Sequence, residues 1–282
     1  MRNFATLFIL IIGFINLSHN NCNAQKKCKK CPSVTKDLPS FFVNDALFPK
    51  YLKAIYKRDA TRLSIRLLNK ELRLSQQTVD VPEELVQAVY NALVAIRVSD
   101  YSAIDTISQK YYIRSFPVPN VENIILVADH DAPWLEPLKH RERLTGSESI
   151  NEIIRKYQLN ITRMVYLDEE RVGLLLQSSK PLNIPALTLE FFTEEGIGSI
   201  NEVLPFGDGN DISINRTKKG WELTYSLGFG DCMHQCQKRF DWKFTVSESG
   251  EVAYLGSAGH TIPPWVGNSN VSKRYPDILT SR

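Results

Sequence analysis

Apolar and polar residues alternate between Ile212 and Tyr254, and this alternation leaves few folds open to the chain. Four short stretches show a period of two: Ile212/Ile214, Trp221/Leu223/Tyr225/Leu227, Trp242/Phe244/Val246 and Val252/Tyr254. Turn residues at 218–220 separate the first two stretches, and turn residues at 248–250 separate the last two. Because successive side chains point to opposite faces of a strand, the pattern predicts an antiparallel β-meander with one buried face.

Helical patterns precede this region. Pro82 is followed by an acidic first turn and by an apolar face of Leu85, Val89, Ala92, Leu93 and Ile96, which predicts a helix. Ser149 and Glu152 form a capping box before a second helix, and Gly196 is typical of the end of a third over 185–193. Residues 60–70 fit either a helix or a strand, and residues 41–56 are rich in aromatics but irregular.

Strand patterns also occur before Gly196. Ile124 to Val127 form an apolar run, and residues 161–167 and 171–177 predict a hairpin around Asp168-Glu169-Glu170. Helices thus occupy mostly the N-terminal two-thirds, with an antiparallel β-meander at the C-terminus, which predicts the α+β class.

The composition is that of a globular protein. The chain has 282 residues, 43% hydrophobic and 23% charged, which excludes collagen-like, low-complexity and wholly disordered chains. Residues 1–24 resemble a secretory signal peptide, with Arg2 as the only charge, an apolar run over 4–17 and small residues Cys22 and Ala24 before Gln25. That run is shorter than the ~20 residues of a membrane-spanning helix, so we expect no transmembrane segment in the mature chain. Acylation of Cys22 is an alternative, although the preceding residues are not the small, apolar ones that it requires.

Basic residues are concentrated near the N-terminus. Six of the 34 Lys and Arg residues precede Asp37, but none of the 31 acidic residues does, so acidic residues exceed basic ones by three from Asp37 onward. We therefore expect no nucleic-acid binding. The leader could contact anionic surfaces weakly.

The remaining cysteines form two close pairs, Cys28/Cys31 and Cys232/Cys236. An even number of cysteines in an exported chain indicates disulfides, and pairing within each motif is the simplest of three connectivities. Two alternatives stay open: a redox motif at Cys28-Lys-Lys-Cys31, and a zinc site using Cys232, His234 and Cys236. Local pairing of Cys232 with Cys236 predicts an irregular loop, because an i, i+4 helical spacing leaves the Cβ atoms too far apart.

Catalytic signatures are scarce. Asp129-His130-Asp131 follows the Ile124–Val127 strand and could hold a general base or a metal, but adjacent strand residues alternate faces. Gly207-Asp208-Gly209-Asn210-Asp211 lacks the later ligands of a calcium loop and predicts a tight turn. No nucleophile elbow, phosphate loop or dinucleotide fingerprint is present. We therefore predict no cofactor and no resident metal, and assign no catalytic residue.

One segment carries a resemblance. Gly228-Phe229-Gly230-Asp231-Cys232 through Cys236, followed by Trp242 and Phe244 and preceded by Gly207-Asp208-Gly209-Asn210 and Trp221, resembles the C-terminal part of a family of exported proteins from Bacteroidota-type bacteria. That family has no assigned activity. Relatives often carry Gly at the position of Gln235 and His at that of Phe240 or Asp241, so a site built on that histidine would be absent here. The resemblance implies a cysteine-closed loop that leads into an aromatic strand.

These observations predict five regions: a signal peptide (1–24), a basic disordered leader (25–40), an α+β region (41–196), a β-meander with the Cys232/Cys236 loop (197–265) and a C-terminal tail (266–282). The α+β region (41–196) and the β-meander (197–265) should form one continuous globular unit. The leading hypothesis is an exported, periplasmic or extracellular protein that binds or scaffolds without catalysis. The alternative is an exported hydrolase with a dispersed site near Asp129, His130 and Asp131.

The first prediction concerns processing and thiol state. The mature chain should begin at Gln25, because Ala24 is the best small residue after the apolar run, and its four cysteines should be bridged. Intact-mass measurement of protein from culture fractions, before and after reduction, gives both answers. Recovery of a chain that starts at lipid-modified Cys22, or no gain of hydrogens on reduction, would contradict the prediction.

Overall fold

The computed structural model describes residues 38–46, 48–72, 78–192 and 194–267. The predicted signal peptide, nearly all of the leader with Cys28 and Cys31, and most of the C-terminal tail lie outside the described residues. The helices are α1 (Lys50–Leu72), α2 (Glu83–Val98), α3 (Ala103–Asp105), α4 (Glu136–Lys139), α5 (Glu148–Lys156) and α6 (Ile184–Phe191). The strands are β1 (Asn123–Asp129), β2 (Leu159–Tyr166), β3 (Arg171–Ser178), β4 (Ser199–Glu202), β5 (Asp211–Thr217), β6 (Gly220–Phe229), β7 (Lys238–Ser247) and β8 (Val252–Gly259).

The described strands form two antiparallel sheets of four strands each. The first sheet has the order β2-β3-β1-β4, and the second has the order β5-β6-β7-β8. Helices lie mostly before the second sheet, so the predicted α+β class is confirmed. Within the described ranges, no helix combines the length and apolar character needed to cross a membrane.

The second sheet is the predicted meander. Trp221 pairs with Val246 and Tyr225 with Trp242, and these four side chains are buried on one face. The aromatic ring of Phe244 is also fully buried there, in edge contact with the ring of Tyr225. Helices α1 and α2 cover this face and share its core. The alternation in the sequence therefore reports which side of each strand is buried.

The first sheet has a separate core beneath α5 and α6. Its strands β2 and β3 form the predicted hairpin, and β1 pairs with β3 along its whole length. Strand β4 pairs with β1, where Ile200 lies opposite Leu126. The region after Gly196 thus contributes one strand to the first sheet, and the meander itself begins at Asp211. A positive φ of 78° at Gly196, which glycine adopts readily, marks the turn after α6.

The ambiguous stretch 60–70 belongs to α1, a helix of 23 residues. Side chains from Asp59 to Leu68 are buried on almost every side of the helix. Leu63 and Leu67 face the α2 core, whereas Ile65 is buried outside that cluster. Polar side chains are buried on this helix along with apolar ones, so its sequence does not show one apolar face with a clear 3.6-residue period.

The start of α5 differs from the predicted capping box. The N-cap is Ser147, whose Oγ accepts a hydrogen bond of 3.4 Å from the N–H of Ile150. Ser149, predicted as the cap, lies inside the first turn, so that prediction is wrong. The chain is extended at Ser147 (φ −103°, ψ 120°), the conformation that an N-cap residue requires.

Four basic residues on α1 recur at every fourth position: Arg58, Arg62, Arg66 and Lys70. This basic stripe lies along one side of the helix. At its ends, the Nε of Arg58 donates to Glu122 at 2.6 Å, just before β1, and the Nζ of Lys70 donates to Asn215 at 2.7 Å, in β5. The basic stripe therefore contacts residues of both sheets.

Arg66 makes the largest number of contacts in the basic stripe. Its guanidinium donates to the carbonyl oxygens of Phe116 (2.7 Å) and Val118 (2.9 Å), and it pairs with the carboxylate of Asp211 (2.9 Å). The Asp211 carboxylate also accepts from the Phe116 N–H at 2.6 Å. A single guanidinium thus provides hydrogen-bond donors to two carbonyl groups of an irregular segment and fixes that segment to the start of β5.

A buried chain of hydrogen bonds surrounds Arg62. Its Nη1 donates to Ser115 Oγ at 2.7 Å, and that hydroxyl donates to Asp59 Oδ1 at 2.6 Å. The Nε of Arg62 donates to the Pro119 carbonyl at 3.0 Å. Burial raises the pKa of the Asp59 carboxyl, although Arg114, Ser115 and Arg62 act in the opposite direction.

Replacement of Arg62 by Ala should lower the free energy of unfolding by about 3–5 kcal/mol, because it leaves the buried Asp59 without its bonded network. Denaturant unfolding measures the loss. Arg163→Ala, at an exposed position on β2, is the matched control and should change stability by less than about 0.5 kcal/mol. Equal effects of the two substitutions would contradict a role for the basic stripe.

Candidate functional site

Asp129, His130 and Asp131 lie at the exposed end of β1. The N–H of His130 donates to the Glu170 carbonyl at 2.7 Å, and the His130 ring lies 5.8 Å from the ring of Tyr166. The three predicted side chains are all exposed on this turn. Across the described ranges, no group of three or more His, Cys, Asp or Glu side chains is arranged to hold a metal ion.

The second cysteine pair is closed. The sulfur atoms of Cys232 and Cys236 lie 2.20 Å apart, at disulfide distance, and their Cα atoms are separated by 4.0 Å. The residues between them form an irregular loop between β6 and β7 rather than a helix, as local pairing predicts. Cys236 is buried, whereas His234 is exposed.

The two glycine-containing motifs of the resemblance lie in contact. The Asp208 N–H donates to the Cys232 carbonyl at 2.8 Å, and Asp208 Oδ2 accepts from the Cys236 N–H at 2.8 Å. Arg239 donates to the same oxygen at 2.6 Å. A Cβ atom at Gly207 would lie 2.6 Å from the Cys232 carbonyl oxygen, so glycine is needed for this approach. The predicted tight turn at 207–211 is therefore a close partner of the cysteine loop.

These contacts control the ionisation of Asp208. Burial acts to raise the pKa of its carboxyl, but hydrogen bonds from Cys236, Arg239 and Gly209 prevail and hold that pKa below its usual range. A carboxylate bonded in this way stabilises the folded state while it is charged. Asp208 therefore links the 207–211 turn to the cysteine loop, and we call this set of contacts the Asp208 joint.

A groove opens on another part of the protein, where α2 ends. Its first part encloses about 550 Å³ and is lined by Phe41, Phe42, Val43, Val98 and Tyr101, among others. Phe42 is 91% exposed and Val98 50% exposed. Large apolar side chains therefore face solvent along a concave surface.

The walls of this part are fixed by specific contacts. The Asn91 side chain of α2 donates to the Phe41 carbonyl at 2.7 Å, and the Tyr90 hydroxyl donates to Asp45 at 2.5 Å. The Phe41 ring packs on Gly250, where a Cβ atom would lie 2.6 Å from the ring. The segment 38–46 is thus held against both α2 and the β7–β8 turn.

The second part of the groove encloses about 530 Å³ and has more charged side chains than the first, so we call it the polar part and the first the apolar part. Arg97, in the last turn of α2, and Arg114, after the π-helical turn Thr106–Lys110, both line it. The guanidinium carbon of Arg114 lies 4.5 Å from the centre of the Tyr56 ring, a cation–π arrangement. The two parts share the residues Asn44, Val98, Ser99, Asp100 and Tyr101. We call the combined surface the Val98 groove.

A buried tyrosine, Tyr225, lies close to the two arginines of the groove. Burial raises the pKa of Tyr225 well above its usual range, and Tyr56 raises it further, while Arg114 and Arg97 act to lower it. Both guanidinium groups are therefore close enough to influence one buried hydroxyl of the second sheet. Tyr225 therefore stays neutral at physiological pH and supplies no negative charge to the two guanidinium groups.

None of the groove residues was predicted as a site from the sequence. The aromatic residues within 41–56 gave a weak signal, since an irregular stretch rich in Phe and Tyr must either be buried or be used. Arg97 and Arg114 carried no signal, because their proximity arises from elements that are distant in the chain. The described residues define an α+β protein of two four-stranded antiparallel sheets with an open groove at the end of α2. Comparison of the chain with protein-family models, with curated proteins and with solved structures finds no match.

The Asp208 joint leads to a pH-dependent prediction. Asp208→Asn should lower the free energy of unfolding by about 1.5–3 kcal/mol at pH 7, since it removes a charged acceptor. Because the folded-state pKa is lowered, the advantage of the native carboxylate is present above its unfolded pKa of about 3.9 and is lost as pH falls through the folded-state pKa. Denaturant melts from pH 7 downward should therefore show the two proteins converging in acid.

The exposed Asp131→Asn is the control for this prediction and should match the native protein at every pH. A constant difference between native protein and Asp208→Asn across the whole pH range would show that shape, and not charge, is responsible.

Proposed function

We propose that this chain is an exported, non-catalytic binding protein whose ligand lies in the Val98 groove. The observation that supports this proposal is the continuity of an apolar part and a polar part, with Val98 and Tyr101 shared between them. Each part has a volume within the range of about 300–1,000 Å³ that is usual for small-molecule sites. Walls held by hydrogen bonds from α2 favour a groove that keeps its shape before binding.

The geometry of Asp129, His130 and Asp131 favours binding over hydrolysis. Hydrolysis requires a nucleophile or activated water, a general base and a group that stabilises the developing charge, all within contact of one substrate. The three side chains are exposed on a turn, and the closest ring to His130 is that of Tyr166. The Val98 groove contains no histidine.

Two further observations are compatible with export. The sulfur atoms of Cys232 and Cys236 lie at disulfide distance, and disulfides persist mainly in oxidising compartments. The signal-peptide pattern at 1–24 provides the route. Periplasmic or extracellular location is therefore part of the proposal.

A groove-filling substitution tests the binding site. Nile red, an uncharged dye whose emission depends on polarity, should bind the native protein with increased fluorescence. Val98→Trp should reduce its affinity at least about tenfold, since the indole would occupy the junction of the two parts. Val98 is half exposed, so the substitution adds bulk to the surface and not to the core.

Leu255→Trp is the matched control, because Leu255 is 56% exposed on β8 and does not line the groove. It should leave the affinity for Nile red unchanged. Equal affinity of Val98→Trp and Leu255→Trp proteins, both with native melting temperatures, would show that the groove is not the binding site.

A further inference from the structure

The polar part of the Val98 groove contains two half-buried guanidinium groups. Three other half-buried arginines are paired with carboxylates: Arg58 with Glu122 at 2.6 Å, Arg66 with Asp211 at 2.9 Å and Arg239 with Asp208 at 2.6 Å. For Arg97 and Arg114, the described part of the chain provides no carboxylate within 4.0 Å. A guanidinium that has lost part of its water and has no carboxylate bonded directly to it favours binding of an anion.

The nearby acidic groups do not remove this preference. Asp59 attracts Arg114 electrostatically and contributes to the raised pKa of its guanidinium, but it lies beyond ion-pair distance of Arg114, and its bonded partners are Ser115 and Arg62. Asp105 lines the groove but accepts a hydrogen bond from Gln109 at 2.8 Å. Asp100 is exposed at the rim, where water screens its charge.

The apolar part begins next to these arginines. Val98 follows Arg97 directly at the end of α2, and Tyr101 lines both parts of the groove. The Tyr101 hydroxyl donates to the Val252 carbonyl at 3.2 Å, so its ring is held at the edge of the second sheet. An occupant can therefore place a charged group at one end and apolar carbon at the other.

We propose that the Val98 groove binds single-chain amphiphiles that end in an oxyanion, a carboxylate or a phosphate, with the oxyanion against Arg97 and Arg114 and the chain against Phe41, Val98 and Tyr101. This inference rests on the proposed function, because it specifies the ligand class of the same groove. The planar fork of each guanidinium suits the paired oxygens of either head group.

Calorimetric titration with octyl ligands tests the ligand class. Octanoate and octyl phosphate should bind the native protein at least about tenfold more tightly than octanol, acetate or inorganic phosphate. The ratio of the affinities for octanoate and octyl phosphate identifies the preferred head group. A preference for either one supports the inference. Octanol that binds as tightly as both anions would overturn it, and so would acetate or inorganic phosphate that binds as tightly as its octyl counterpart.

Substitutions of the two arginines test where the oxyanion head group binds. Arg97→Gln should weaken octanoate and octyl phosphate about tenfold without changing octanol, while Arg163→Gln, at an exposed position on β2, should change none of them. Arg114→Gln should have the same effect as Arg97→Gln. If the Arg114→Gln protein fails to fold, Arg114→Lys replaces it, since lysine keeps the positive charge but lacks the planar guanidinium. Unchanged anion affinity in folded Arg97→Gln and Arg114→Lys proteins would overturn the inference.

The same measurements separate this inference from the proposed function. If Nile red binding depends on Val98 but octyl anions show no advantage over octanol, the groove is a site for uncharged apolar ligands and only the present inference fails. If neither Nile red nor any octyl ligand is affected by Val98→Trp, both fail. Tighter binding of an apolar peptide with a free C-terminal carboxylate than of octanoate would replace the amphiphile by a peptide and overturn the assignment.

Discussion

The described structure depends on the spacing of four residues in the basic stripe of α1. Arg58, Arg62 and Arg66 direct their guanidinium groups at the segment 115–122, which has almost no ladder hydrogen bonds of its own and would otherwise leave buried carbonyl groups unpaired. The same stripe reaches β5 through Arg66 and Lys70. Because one rigid helix carries all of these donors, the entry to β1 and the start of β5 are placed relative to the same axis. Apolar contacts supply the cores, but the basic stripe determines how the two sheets are connected.

The Val98 groove follows from the same arrangement. Arg114 lies in the irregular segment next to Ser115, and its contact with the Tyr56 ring places it beside α1. Helix α2 then ends at Val98, and the chain turns away in an extended conformation at Ser99. The segment 38–46 closes the open side through Asn91 and Tyr90. The groove is thus formed where three well-anchored elements end, and no carboxylate of the described residues lies within 4.0 Å of its two arginines.

The sequence predicts those parts of the fold in which the period of the apolar residues matches the pattern of buried side chains. The meander was predicted because Trp221, Tyr225 and Trp242 alternate with polar residues on a half-exposed sheet, and the β2–β3 hairpin because a polar turn separates two strand patterns. Helix α1 could not be assigned because burial on all sides removes the periodicity. Its basic residues recur at every fourth position in the sequence, but only the tertiary contacts show that they bind residues of both sheets. The groove is beyond local analysis, since residues near 41, 98, 114 and 250 meet only after folding.

The contact between the Gly207 turn and the cysteine loop has a consequence for how this protein can change in evolution. A Cβ atom at Gly228 would lie 2.5 Å from Cys236 Sγ and 2.8 Å from the Gly209 carbonyl oxygen. A side chain at Gly207 or at Gly228 would therefore overlap with a neighbouring segment. Homologous chains should keep or lose the two glycine motifs and the cysteine pair together, so that a chain without the bridge also has a different turn before β5. We therefore expect the motif to be inherited as one unit, even though its parts lie about 20 residues apart in the sequence.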